Sequence, residues 1–155
     1  MQSTSAGSQW YALCFSSLLL FVVLFGFSKM STQVHLLCNK WRCKDGTILH
    51  SKHRHDYVSY TSVDGTYSFV DGGTDYIRHS GNMEPLLVYT NDLHEVIREN
   101  FEWASYGING DEPAKRQLLK ELTVDHINAI LRTQKHLPDH ILQLFKNELE
   151  YRLIN

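Results

Sequence analysis

The residues best suited to chemistry are concentrated between Trp41 and Arg78. Three of the nine histidines fall between positions 50 and 55, next to an acid at 56, and a cysteine precedes them at 43. Imidazole, thiolate and carboxylate groups are common ligands of transition metals, and imidazole carries protons near neutral pH. Metal binding or proton transfer would therefore involve these candidates: Cys43, His50, His53, His55 and Asp56.

The spacing of these side chains does not favour a metal site. A structural zinc site usually presents two short pairs of ligands on two turns. The segment that would carry the second pair contains Tyr60 and Ser62, whose hydroxyl groups are poor zinc ligands beside thiolate. His53 and His55 lie two residues apart, a spacing that suits a solvated face of extended chain as well as it suits a ligand pair. We therefore expect no bound metal and no cofactor.

Enzymatic chemistry is also disfavoured. A metal-dependent hydrolase of the phosphoesterase kind would use His53, His55 and Asp56, with Asp71 or Asp75 as a more distant ligand. A third histidine at motif spacing is missing from this set. The sequence contains no glycine-rich phosphate loop, nucleophile elbow or Walker lysine. We therefore predict a protein that is not an enzyme and retain the hydrolase as an alternative.

Three motifs in this stretch resemble a family of small proteins of T-even-type bacteriophages and their hosts. The motifs are Trp41-Arg42-Cys43-Lys44, the segment Ser-Lys-His-Arg-His-Asp at 51–56, and Val-Asp-Gly-Gly-x-Asp-Tyr-x-Arg at 70–78. In that family they frame a compact cysteine ribbon, with a C-x-x-C turn before the histidine segment and a C-x-C turn after it. The resemblance implies a zinc-binding module of unknown biochemical role. Residues 92–152 are similar to an extension found in phage members.

This chain departs from the family pattern at the metal ligands. Of the four cysteines that the resemblance implies, only Cys43 is recognisable, since Asp45 occupies the place of the second. Zinc is therefore possible in relatives and predicted to be lost here. We expect aromatic packing to organise the hairpin instead, through Tyr57, Tyr60, Tyr67 and Phe69.

The retained motifs then predict a recognition surface. Its candidate residues are Lys52, His53, Arg54, His55, Asp56, Asp71, Asp75, Tyr76 and Arg78. A degenerate zinc ribbon that binds nucleic acid or a polymerase is the alternative, with Trp41 and Tyr57 as stacking surfaces. It would use the basic side chains of Lys40, Arg42, Lys44, Lys52 and Arg54. The formal charge of −2 argues against a general nucleic-acid binder, which needs many phosphate contacts.

Local patterns predict the elements that position these residues. Residues 57–60 and 66–70 alternate in the manner of strands around Asp64-Gly65, which indicates a hairpin. Residues 86–89 suggest a third short strand, and residues 38–46 suggest a knuckle-like turn.

Helical periodicity follows after residue 90. We predict one helix capped by Asp92, a second from Thr123 to Gln134, and a last helix with Pro138 at its first position. Leu118, Leu119 and Leu122 are expected to pack beside the second helix. The predicted fold class is α+β, namely an N-terminal transmembrane helix, a small β-hairpin (ribbon-like) module and about three amphipathic helices.

The N-terminal segment predicts the membrane helix. Residues 1–28 carry no charge, and residues 10–27 are almost entirely apolar, which meets the lower limit of roughly 17–25 residues for a span. A cleaved signal peptide fits less well because the basic n-region and the small-x-small cleavage pattern are missing. Lysine and arginine follow the span and none precede it, so the body should face the cytoplasm.

These observations combine into one functional prediction. We expect residues 1–29 to be a membrane anchor, 30–90 a β-rich degenerate ribbon module and 91–155 a helical part. The protein would be a non-catalytic phage accessory protein in the host-cell membrane, held through residues 10–28 and binding an unidentified host or phage protein. A start at Met30 would instead give a cytoplasmic form. Separately, the three sparse cysteines (Cys14, Cys38, Cys43) describe no disulfide framework and favour reduced thiols in a cytosolic setting.

Overall fold

The first sheet is built around a single central strand. A computed structural model describes residues 33–107 and 109–155, and Val34–Asn155 form one compact unit. Strand β1 (Leu36–Cys43) pairs antiparallel with β2 (Ile48–Ser51) on one side, and with β6 (Met83–Pro85) and β7 (Val88–Tyr89) on the other. Because it has neighbours on both sides, β1 holds the β-rich half together.

A second, three-stranded sheet carries the two ends of the motif at residues 70–78. It contains β3 (Val58–Thr61), β4 (Tyr67–Asp71) and β5 (Arg78–Ser80), with β4 in the middle. The predicted hairpin at Asp64-Gly65 is confirmed: Gly65 has a φ of 83°, and the Asp64 carboxylate accepts a hydrogen bond from the Thr66 amide at 2.9 Å.

The C-terminal half combines helices with one further hairpin. Helix α1 (His94–Asn100) is followed by β8 (Glu102–Ser105) and β9 (Lys115–Leu118), which pair with each other. A 3-10 turn (Leu119–Glu121) leads into α2 (Val124–Thr133) and then α3 (Asp139–Ile154).

Two hydrophobic clusters stabilise this arrangement. The larger one joins the start of β1 to the helices and is centred on fully buried Phe145, Leu119 and Ile127. The smaller one, which we call the inner cluster, lies between the first two sheets and is formed by Trp41, Cys43, Leu49 and Val70. Strand β1 contributes to both clusters, since Leu37 and Cys38 belong to the first and Trp41 and Cys43 to the second.

The predicted architecture is wrong as a whole. The described residues form an α+β fold with three helices, but the β part is three antiparallel sheets rather than one small ribbon-like hairpin module. None of the helices in the described ranges is long and apolar enough to cross a membrane. The predicted membrane helix at residues 10–27, its anchor role and the start at Met30 lie outside the described residues.

The predicted knuckle at residues 38–46 is also wrong. Most of this segment belongs to β1, and only the turn at Asp45-Gly46 is local. The strands that pair with β1 include β6 and β7, which are distant in the sequence, so the pattern of nearby residues could not indicate them. The strands β8 and β9 were likewise not predicted, because neither alternates clearly between polar and apolar residues.

The helix boundaries follow local signals where a cap is present. Thr123 caps α2 as predicted, and its hydroxyl accepts a hydrogen bond from the His126 amide at 3.1 Å. Asp92 does not cap α1: its carboxylate instead accepts a hydrogen bond from the Tyr89 amide. Pro138 is the N-cap of α3, one position before the predicted one.

Candidate functional site

The two motif loops, residues 51–56 and 71–76, are held against β1 by a fully buried asparagine. The side-chain amide of Asn39 donates hydrogen bonds to the carbonyl oxygens of Gly73 at 2.9 Å and Asp71 at 3.4 Å. Its oxygen accepts a hydrogen bond from the Trp41 indole at 2.9 Å. An amide satisfies this site because it combines two donors with an acceptor.

Ser51 joins the two loops directly. Its hydroxyl donates to the Asp56 carbonyl oxygen and accepts a hydrogen bond from the Gly73 amide, both at 2.8 Å. The Asp56 carboxylate accepts a hydrogen bond from the Lys52 amide at 2.7 Å, which closes the first loop. These motif residues therefore maintain loop geometry, and the backbone rather than a metal connects the two segments.

Gly73 is required by close contact as well as by conformation. It has a φ of 55°, and a Cβ atom at this position would lie 2.5 Å from the carbonyl carbon of His53. We expect Gly73→Ala to lower the free energy of unfolding by about 3 kcal/mol, the upper end of the usual cost of a strained backbone position. Chemical denaturation followed by circular dichroism measures this change.

Gly110→Ala is the matched control for that variant. Gly110 also has a positive φ, of 76°, but an added Cβ would meet no atom within 4 Å. It should therefore lose less stability than Gly73→Ala, and equal losses would show that the contact between the two loops contributes nothing.

The outer side of the second sheet carries two exposed tyrosines, an exposed arginine and a half-buried phenylalanine. We call Tyr57, Tyr67, Phe69 and Arg78 the aromatic face. The Tyr57 ring stacks on Phe69 with centroids 4.9 Å apart, and the Arg78 guanidinium lies 5.9 Å from the centre of the Phe69 ring. The Tyr57 and Tyr67 hydroxyls are 2.8 Å apart and hydrogen-bonded, and about half of each tyrosine remains exposed, 48% and 51%.

The predicted aromatic cluster is thus divided between two sides of the sheet. Tyr60 packs on the inner cluster, and its hydroxyl donates to Asp45 at 2.8 Å. Trp41, predicted as a stacking surface for bases, is buried in the same cluster and stacks on His79 with centroids 3.8 Å apart. Alternation along the strands separates residues that are close in sequence.

Most of the predicted recognition residues do lie together. Lys52, His53, Arg54 and His55 are exposed on the first loop, and Asp75 and Tyr76 are exposed on the second. Arg54 and Asp75 approach to 3.8 Å across the gap between the loops. Asp71 differs from this expectation because it is buried, and its carboxylate accepts hydrogen bonds from the Arg78 guanidinium at 2.5 Å and the Tyr76 hydroxyl at 3.3 Å.

The candidate metal ligands do not converge. Cys43 is buried in the inner cluster, whereas His53 and His55 are exposed on the loop and Asp56 closes that loop. In the ranges 33–107 and 109–155, no group of three or more histidine, cysteine or carboxylate side chains could hold a metal ion.

His50 takes part in a different grouping, which the sequence did not predict. Its Nε2 lies 3.9 Å from the Cys38 sulfur, and its Nδ1 lies 3.7 Å from a carboxylate oxygen of Glu102. The two ring nitrogens face opposite ways, so Cys38 and Glu102 cannot bind one ion together with His50. A thiol, an imidazole and a carboxylate in this order are instead the arrangement of thiol catalysis.

Electrostatics oppose thiol catalysis at this grouping. Burial, together with the positive charges of Lys40, Lys52 and Arg116, lowers the pKa of His50 to about 4. Burial also raises the pKa of the Cys38 thiol. Transfer of the thiol proton to the imidazole is therefore strongly unfavourable, because the acceptor is a weak base and the donor a weak acid. Near neutral pH both groups are uncharged.

Several residues with structural importance were missed because their partners are distant in the sequence. Asn39 offered one signal, a single amide directly after the apolar run Leu36-Leu37-Cys38, which indicates a buried polar contact. Glu102 and Arg116 offered none. Comparisons of the chain with protein-family models, with curated proteins and with solved structures gave no match. The resemblance to the phage family therefore depends on the motifs alone.

Proposed function

We propose that this protein is a non-catalytic binding module that recognises a protein partner through the aromatic face. One observation carries the proposal: Tyr57, Tyr67, Phe69 and Arg78 occupy the solvent side of a sheet, where polar residues normally stand. Tyrosine and arginine are enriched among the residues that dominate binding energy at protein interfaces. On the resemblance of the motifs, we expect the partner among host or phage proteins.

The ion pairs formed by the basic side chains support a protein partner over nucleic acid. Arg78 pairs with Asp71 at 2.5 Å, and three further basic side chains also lie within ion-pair distance of an acid. Phosphate groups would have to compete with these carboxylates for the paired side chains. The three other pairs are Arg42 with Glu84, Lys52 with Glu102, and Arg54 with Asp75.

The aromatic face can be removed without creating a buried polar group. We predict that Tyr57→Ala combined with Tyr67→Ala weakens partner binding by about 30-fold or more, the effect of losing roughly 2 kcal/mol at an interface hot spot. Because the two hydroxyls bond to each other and are exposed, the double variant should keep its fold, which circular dichroism checks. Affinity capture with quantitative mass spectrometry identifies the partner, and titration calorimetry gives the affinities.

Tyr106→Ala provides the matched control, because Tyr106 is 54% exposed but lies beyond β8, outside the aromatic face. A partner that binds the double variant as tightly as the wild type would refute the proposal. Salt-sensitive binding to a single-stranded oligonucleotide, lost in Lys52→Gln with Arg54→Gln, would replace it with the nucleic-acid function.

A further inference from the structure

A second feature, distinct from the aromatic face, is a cavity of about 270 Å³ beside Cys38 and His50. It lies between β1 and β2 on one side and β8, β9 and the start of α3 on the other. The volume is slightly below the roughly 300–1,000 Å³ of sites for drug-sized molecules, so an occupant would be small.

One wall of the cavity is apolar and largely aromatic. Phe101 and Trp103 contribute rings from the segment around β8, and both pack edge-on against Phe145 in the larger cluster. Leu137 and Ile141 extend this wall from the start of α3. Rings that are held by the core form a preformed surface, which lowers the entropy cost of binding.

A second wall, to which β8 and β9 contribute as well as the end of β2, is polar and carries an excess of positive charge. Lys52 and Arg116 line it together with one acid, Glu102, and the neutral imidazole of His50. The Lys52 ammonium lies 3.2 Å from Glu102 Oε2, an enclosed oxygen with no hydrogen-bond partner in the described structure. Two cations facing one carboxylate leave a net charge of +1 on this wall.

We propose that this cavity binds a small organic anion, with a carboxylate or phosphate group towards Lys52 and Arg116 and an aromatic or aliphatic body against Phe101 and Trp103. The anion neutralises the excess positive charge, and its body covers the apolar wall. Few polar groups on one side and an apolar surface on the other are the usual composition of a small-molecule site.

Cys38 reports occupancy because it is buried in the larger cluster but lines the cavity, so a reagent that alkylates it slowly must reach it through the cavity. Alkylation by iodoacetamide can be followed separately at the two thiols, since cleavage after lysine alone places Cys38 in residues 30–40 and Cys43 in residues 41–44. The probes are benzoate, hexanoate and phenyl phosphate, with benzamide as the uncharged match of benzoate. The melting temperature of the full chain is a second readout.

We expect at least one of the three anions, at about 10 mM, to slow alkylation of Cys38 by roughly 10-fold and raise the melting temperature, as for a Kd near 1 mM. Alkylation of Cys43 should not change. Lys52→Gln and Arg116→Gln should each abolish both effects, whereas Arg132→Gln, an exposed arginine on α2, should abolish neither.

Three outcomes would contradict anion binding in this cavity. The proposal is overturned if no anion changes either readout, or if benzamide acts as strongly as benzoate, which would indicate an apolar cavity without charge recognition. Persistence of the anion effects in both Lys52→Gln and Arg116→Gln would also overturn it.

Discussion

Replacement of Glu148 by alanine is expected to lower the free energy of unfolding by about 3–5 kcal/mol, the usual cost of breaking a buried ion pair by removing one partner. The Glu148 carboxylate is fully buried and accepts hydrogen bonds from His94 at 2.7 Å, Arg98 at 2.8 Å and Arg152 at 2.7 Å. These partners come from α1 and α3, so the carboxylate joins two helices. Urea denaturation followed by circular dichroism measures the loss.

Glu150→Ala is the control, because Glu150 is exposed on the same helix and should lose little stability. The pH dependence gives a second check. Burial alone would raise the pKa of Glu148, but the hydrogen bonds from Arg98, Arg152 and His94 outweigh burial and lower the pKa below its ordinary value of 4.5.

The sign of the pH effect follows from that lowered pKa. The stabilisation is complete above about pH 4.5 and is lost as the pH falls from there through the folded-state pKa. The stability difference between the wild type and Glu148→Ala should therefore be constant near neutral pH and narrow in acid. A difference that stays constant down to the acid unfolding transition would contradict the assignment.

Asn39→Asp is expected to lower the free energy of unfolding by a similar amount, about 3–5 kcal/mol at neutral pH, because it places an uncompensated charge in a buried site. The Asn39 amide nitrogen donates to the carbonyl oxygens of Asp71 and Gly73. In its place, an ionised carboxylate oxygen would face two other acceptors and could donate to neither. Thermal and urea denaturation measure the loss. Both motif loops should loosen, which faster hydrogen exchange of the Gly73 amide would show.

Asn91→Asp at an exposed position is the control and should leave stability nearly unchanged. Burial raises the pKa of an introduced carboxyl group, so the loss should grow as the pH rises above about 3.9, the ordinary value for aspartate. If Asn39→Asp were as stable as the wild type at pH 7, the amide could not be the connection between β1 and the two loops.

Features with local causes were predictable from the sequence. The turn at Asp64-Gly65 and the cap at Thr123 depend on residues within three positions of each other, and both occur where predicted. The motif segments were predicted to form one recognition surface from their resemblance to the phage family, and that surface stays a prediction. Their structural role was not predictable, since Asn39 contacts Gly73 from 34 residues away.

The amino-acid sequence by itself determined the turn at Asp64-Gly65, the cap at Thr123 and the poor spacing of metal ligands. Only the tertiary structure decided that residues 38–43 form a central strand, that Trp41 is buried, and that His50 lies beside Glu102. The physical reason is the same in each case. Strand pairing and charge pairing depend on partners that are distant in the sequence. The pattern of adjacent residues does not indicate which of these distant segments will meet in the folded protein.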